Sequence, residues 1–220
     1  MHIEFLVEDS SGEKLLQLLL PRLLGGLPIQ PTWRTHSYKG IGRIPRGLTN
    51  RADPAKRMLL DNLPRLLGGY GRTPGVDAVV VVLDVDRRVC RDFLAELKEV
   101  AAARDPAPNT LFRLAIEEIE AWYFGDKTAL LKAYPRANKK IIEHYVQDSI
   151  CGTWELLADA VCPGGAASVG KAGGRTPGQL KHEWAEKVGP FMDVGRNASP
   201  SFRKLRDGVR RLVSPGQALS

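Results

Sequence analysis

The sequence predicts an α/β fold, with a mainly parallel sheet flanked by helices and a helical C-terminal extension. Three observations predict it. The first is the stretch Val79–Asp86, VVVVLDVD, where four valines and a leucine run without a polar break. A β-branched run of that kind reads as a strand buried on both faces, the signature of a parallel sheet. The second is the alternation of short apolar runs with longer stretches of helical spacing, as in strand–helix–strand units. The third is that acidic residues recur where the apolar runs end, and in an open parallel sheet ligands bind outside the carboxyl ends of the strands.

Taken in order, Ile3–Val7 (IEFLV) reads as the first strand, with Glu8 and Asp9 at its end. Ser10 or Ser11 can cap a helix from about Glu13 to Leu24, kinked or ended by Pro21. Asp9 itself reads best as a helix-capping residue. Residues 29–38 suit a second strand. Lys39-Gly40-Ile41-Gly42-Arg43 then forms a glycine-containing loop between two cations, able to meet phosphate through charge and backbone amides. A helix is expected from about Pro54 to Leu67, stopped by Gly68-Gly69. After the central strand, Cys90–Arg104 is amphipathic, Thr110–Ile116 is another strand, and Glu117-Glu118-Ile119-Glu120-Ala121-Trp122 follows directly. If that segment is helical, Glu117 and Glu120 are i, i+3 neighbours. Further helices are expected over Lys127–Ala133, Trp154–Val161, Leu180–Met192 and Phe202–Leu212. Gly164–Gly178 reads as a loop containing Lys171 and Arg175. Ser201 can cap the final basic helix, whose free amides would suit a phosphate.

Composition narrows the function classes. The chain has 220 residues, 43% hydrophobic and 26% charged, as globular proteins do. No apolar run reaches the roughly 18 residues of a membrane span, and no secretory leader pattern is seen, so a cytoplasmic protein is expected. Three scattered cysteines fit a reducing compartment rather than a disulfide framework. The net charge of +7 is unevenly placed. Residues 31–72 hold nine Lys/Arg against two Asp/Glu, and residues 171–220 hold ten against four. An acidic body therefore carries two basic segments. Cations that hold phosphates around carboxylates that hold a metal are the equipment of an enzyme acting on nucleic acid.

The acids sharpen that expectation. Glu8, the pair Asp84/Asp86 and the run Glu117/Glu118/Glu120 each follow a strand, so a parallel sheet would gather them at one edge. Asp84 and Asp86, two apart, share a face if the strand continues. Carboxylates that close repel, and a hard cation such as Mg²⁺ or Mn²⁺ between them relieves the repulsion. One or two such ions would suit phosphodiester displacement.

A glutamate after the first strand followed by Asp-x-Asp at the end of a later buried strand resembles the TOPRIM domain of topoisomerases, bacterial primases and OLD-type nucleases. More closely, FLVEDSSGE, LLQLLLPRLL, VVVLDVDRRVC, AIEEIEAWYFGD, AYP, GTWELL and RNASPSFRKLRDGVRRL resemble a bacterial family of uncharacterised TOPRIM-like proteins, often encoded beside ATPases. The EIEAW element is also similar to RloB-type proteins. The resemblance covers most of the chain. It implies a Rossmann-like TOPRIM core over residues 1–135, with a basic insertion at 39–72, and a helical, basic extension over 136–220 packed on it. By resemblance to OLD-type nucleases, Glu8 and Glu13 form the first acidic group, Asp84 and Asp86 the second, and Glu118 and Glu120 the third. Lys181, in LKHEWA, matches their distant lysine. Asp9 departs from the pattern, standing where many TOPRIM proteins have glycine.

The expected activity is Mg²⁺- or Mn²⁺-dependent nuclease or related phosphoryl-transfer chemistry. Glu8, Asp84, Asp86, Glu118 and Glu120 are expected on the metal, with Glu8, Glu13 and Lys181 in catalysis. Lys39, Arg43, Lys171, Arg175, Arg203 and Lys204 are expected on the nucleic-acid backbone. The alternative is a silent or gated nucleic-acid- or partner-binding protein that works with a separately encoded ATPase, since the chain has no Walker motif of its own. A primase-like polymerase is a weaker third reading. Self-association stays open, and a role in defence against phage is implied by resemblance alone.

Overall fold

The computed structural model describes residues 1–48, 56–149, 151–171 and 176–214. Among these, four strands form one all-parallel sheet in the order β2-β1-β3-β4: β1 is His2–Val7, β2 Thr32–Ser37, β3 Ala78–Asp84 and β4 Thr110–Ala115. Each crossover carries a helix, as parallel pairing requires. These are α1 (Ser10–Leu23) from β1 to β2, α2 (Leu59–Tyr70) from β2 to β3, and α3 (Cys90–Ala102) from β3 to β4. Six more follow: α4 (Glu120–Phe124), α5 (Lys127–Ala133), α6 (Lys139–His144), α7 (Thr153–Val161), α8 (Pro177–Val188) and α9 (Pro200–Val213). No helix of the described residues is long and apolar enough to cross a membrane.

The period of two along each strand divides the core. Ile3, Phe5, Val7, Ala78, Val80, Val82 and Ala115 face α1 and the later helices in one apolar cluster that includes Trp122, Leu157, Trp184 and Phe202. Leu6, Val79, Val81, Leu83, Phe112 and Leu114 face α2 and α3. Helices on both sides of residue 135 thus share the first cluster.

Several expected boundaries move. Asp9, not a serine, caps α1: its Oδ1 accepts from Gly12 N at 2.7 Å and from Ser11 Oγ at 2.8 Å. Pro21 lies inside α1, and the helix ends two residues later. β2 is shorter than 29–38. Gly68 and Gly69 lie inside α2, which runs on to Tyr70 because its apolar face is already pinned through Leu63 and Leu67. The expected start near Pro54 lies outside the described residues. The segment after Phe112–Ala115 is not helical at Glu117, whose φ of 62° turns the chain, and α4 begins only at Glu120.

The RNASPS stretch proves architectural. Asn197 Nδ2 donates to Trp122 O at 2.8 Å, and Trp122 Nε1 donates to Ser201 Oγ at 3.0 Å. The cap of α9 is Ser199, whose Oγ accepts from Phe202 N at 3.2 Å, while Asp148 Oδ2 accepts from Ser201 N at 2.8 Å. The first amides of α9 are thereby taken, and they are not the phosphate cradle expected of them.

Candidate metal centre and its basic rim

The carboxyl ends of β1 and β3 and the turn after β4 meet at one edge of the sheet. Glu8 follows β1, and its Oε2 accepts from Asp84 N at 3.3 Å. Asp84 ends β3, and its Oδ1 accepts from Ile119 N at 3.0 Å, which ties the β4 turn to β3. The positive φ at Glu117 swings Glu118 and Glu120 back over this edge. One carboxylate oxygen from each of Asp84, Glu118 and Glu120 lies within 4.8 Å of the other two. Gly12 lets α1 close down on the same place. A Cβ there would stand 2.8 Å from Ile119 Cδ1 and 2.9 Å from Val7 Cγ1.

Lys181 reaches this group from α8. That helix opens with a capping box between Thr176 and Gln179 and packs along α1 through buried Leu180, Trp184 and Val188. Lys181 Nζ lies 2.8 Å from Glu118 Oε1 and 3.2 Å from Glu120 Oε2. Glu118 Oε2 also accepts from Trp154 N at 3.0 Å, at the start of α7. Glu120 is 3% exposed, and its buried Oε2 is ion-paired with the Lys181 ammonium but accepts no well-aligned hydrogen bond. Three carboxylate oxygens gathered in this way, one of them buried, are a donor set that could hold a metal ion.

The electrostatics agree with the geometry. Burial pushes the Glu8 carboxyl up to about 7, with the Asp86 and Asp9 charges adding to it against the Asp84 amide and Lys181. Burial likewise pushes Glu120 up to about 7, although Lys181 pulls the other way. Asp84 is raised well above the usual carboxylate range by burial and then by Glu8 and Glu120. Glu118 is raised by burial against the opposing pull of Lys181. Burial works against the charge on Lys181, but Glu120, Asp84 and Glu118 more than compensate and raise it above its ordinary value.

These shifts set a direction for stability. In the unfolded chain carboxyls titrate near ~4. Between there and about 7 the folded, metal-free protein holds more protons at Glu8, Glu120 and Asp84 than the unfolded chain does. Their contribution to stability therefore falls as pH rises through that window. Thermal melts in a chelator are expected to show a higher midpoint at about pH 6 than at about pH 8. A midpoint that rises over that interval would count against this burial of charge.

Other expected site residues lie elsewhere. Asp86 does not share the face of Asp84, because β3 ends at Asp84 and Asp86 turns away with a φ of 52°. It is exposed at the rim, where its charge still acts on Glu8. Glu13 sits in the first turn of α1, where its Oε1 accepts from Thr35 Oγ1 of β2 at 2.8 Å, outside the three-carboxylate group. Glu117 is a structural acid. It accepts from Gly152 N, from Thr153 Oγ1 and, at 2.9 Å, from Thr153 N, and so holds the start of α7. Glu117→Ala strands those buried donors and is expected to cost about 3 kcal/mol by chemical denaturation. An unchanged stability would show that water replaces the carboxylate.

The first basic segment runs into the centre. Gly40 N donates to Glu8 O at 3.0 Å, so the 39–43 loop is fastened to the residue it would serve. Two more of its amides are taken and so are not offered to phosphate as expected: Lys39 N donates to Arg57 O at 2.9 Å, and Arg43 N to Asp61 Oδ1 at 2.7 Å. Gly42, with a φ of 70°, is required there, since a Cβ would lie 2.5 Å from Asp61 Oδ1. The Lys39 and Arg43 side chains are exposed, as are Lys171, Arg203 and Lys204. Arg175 lies outside the described residues. Sequence reasoning missed the part played by Gly152, whose left-handed backbone (φ 91°) presents the GTWELL amides to Glu117 and Glu118.

Comparison with known proteins adds little to this geometry. The chain is similar to a glutamyl-tRNA(Gln) amidotransferase subunit of Aeropyrum pernix, at 28% identity over 139 residues. That match spans 59% of the chain but 21% of the length of its relative. No protein family and no solved structure matches the chain.

Proposed function

We propose that this protein is a divalent-cation-dependent phosphoryl-transfer enzyme that cleaves nucleic acid, built on a TOPRIM-like core. The observation that carries the reading is the gathering of Asp84, Glu118 and Glu120 at the carboxyl edge of a parallel sheet, with a buried Glu120 oxygen that is ion-paired to Lys181 but accepts no well-aligned hydrogen bond. Mg²⁺ or Mn²⁺ held by these three residues would supply Lewis acidity toward a phosphoryl oxygen and a more acidic water. Glu8, whose carboxyl burial pushes up to about 7 in the metal-free protein, would take a proton from an attacking water beside Asp84. Lys181, kept charged by its carboxylate neighbours, offsets negative charge that grows on the phosphoryl oxygens. The exposed Lys39, Arg43, Arg203 and Lys204 would hold the backbone by charge.

The test incubates plasmid DNA, single-stranded DNA and total RNA separately with the protein, in Mg²⁺, in Mn²⁺ and in a chelator. Cleavage of at least one substrate in metal only is expected. The ion pairs of Lys181 with Glu118 and Glu120 favour a second reading, in which the centre is silenced by its own lysine until a partner ATPase acts. No cleavage by the isolated protein, with recovery of an ATPase by affinity capture, would select that reading.

A further inference from the structure

A second site lies on the α2 face of β2, apart from the carboxylates. His36, Ser37, Tyr38, Arg57, Asn62 and Arg65 line a cavity of about 300 Å³. No acid is among them. The nearby carboxylate, Glu4, is 5% exposed and already engaged, with one oxygen 2.7 Å from His36 Nε2 and the other 3.2 Å from His2 Nε2. Two guanidinium groups therefore share one polar cavity with no carboxylate among these lining residues.

The wall is built rather than accidental. Asn62 is 2% exposed, donates through Nδ2 to Met58 O at 2.7 Å, and receives Arg65 Nη2 on Oδ1 at 3.2 Å. Arg57 Nη2 donates to Ser37 O at 3.1 Å, closing the cavity over the end of β2. Burial holds the Tyr38 phenol protonated, pushed up to about 12 even though Arg65 and Arg57 pull it down, so it remains a donor. Guanidinium forks, a phenol and an imidazole braced by a buried carboxylate are the groups that recognise a compact oxyanion.

We propose that this cavity binds a phosphate monoester, the terminal phosphate of a strand or that of a free nucleotide. Its position supports the link to the carboxylate edge. Tyr38 N donates to Val7 O at 3.1 Å and Gly40 N to Glu8 O at 3.0 Å, so the wall runs directly into the residue beside Asp84. A strand end anchored here would set which phosphodiester reaches the carboxylates. The substrate class rests on the nuclease reading.

Binding is measured by calorimetric titration in a chelator, where no cleavage occurs. The probes are AMP against adenosine, and oligothymidylates with a phosphate at one end or the other against the same strand with hydroxyl ends. At least one phosphorylated probe is expected to bind about tenfold tighter than its hydroxyl counterpart. Preference for AMP identifies a free nucleotide and preference for a strand end identifies a terminus; either supports the cavity. Arg65→Gln and Tyr38→Phe, each checked for an unchanged melt, are expected to remove the preference. Arg43→Gln should weaken all strands alike and keep it. Equal affinity for phosphorylated and hydroxyl probes, or a preference that survives Arg65→Gln, overturns the proposal. Absence of cleavage in metal leaves it standing.

Discussion

Asp84→Asn is expected to lower metal-dependent cleavage by about a thousandfold or more while the protein stays folded. The carboxamide oxygen can still accept from Ile119 N, the contact that ties the β4 turn to β3. What is lost is one negative ligand from a group of three. Because burial and the Glu8 and Glu120 charges already disfavour ionised Asp84, removing its charge should leave the melting midpoint unchanged or raise it in the absence of metal. Asp86→Asn makes the informative comparison. That side chain is exposed, stands outside the carboxylate group and acts on Glu8 through its charge, so a loss of about tenfold or less is expected. Cleavage by Asp84→Asn at the wild-type rate would remove the proposed centre. Equal losses for the two variants would instead mean that both aspartates bind the ion.

The contrast between these two aspartates shows where sequence reasoning stops. The buried run from Ala78 to Leu83 announces β3 by composition, and the parallel sheet follows from it. Whether the strand continues for two more residues is decided by one backbone turn at Asp86, which no periodicity encodes. Glu117, Glu118 and Glu120 are similarly indistinguishable as letters. The turn at Glu117 sends the first to the start of α7, the second to both Trp154 N and Lys181, and the third into the interior beside Asp84. Lys127–Ala133 was legible to the residue, while α4 and α6, with five and six residues, are too short to show a helical period. The cavity on β2 was invisible because His36, Arg57 and Arg65 come from a strand, a loop and a helix.

Trp122→Ala is expected to destabilise the protein by about 4 kcal/mol, through lost burial and the cavity left behind. In a chain of this size that corresponds to a fall of roughly 10 °C in melting midpoint. Trp122 is fully buried, its ring meets Phe202 edge-on with centroids 5.6 Å apart, and its Nε1–H reaches Ser201 Oγ. It thereby fastens α4, two residues beyond Glu120, to α9. Trp122→Phe keeps most of the volume but leaves Ser201 without its donor, and about 1 kcal/mol is expected for that bond. A loss for the alanine variant no larger than for phenylalanine would show that α9 collapses onto the gap and that the tryptophan is not the fastening point.

The ion pair of Lys181 with Glu118 and Glu120 also has a consequence for the order of synthesis. The carboxylates of β3 and α4 leave the ribosome well before α8 does. At about 5–20 residues per second, the nascent chain carries its acids for roughly 3–12 s before their counter-cation is made. During that interval the acids lack the charge that holds Glu118 and Glu120 in place. The centre is therefore completed late, when α8 docks along α1, and an unfinished chain does not yet hold its acids and their lysine together.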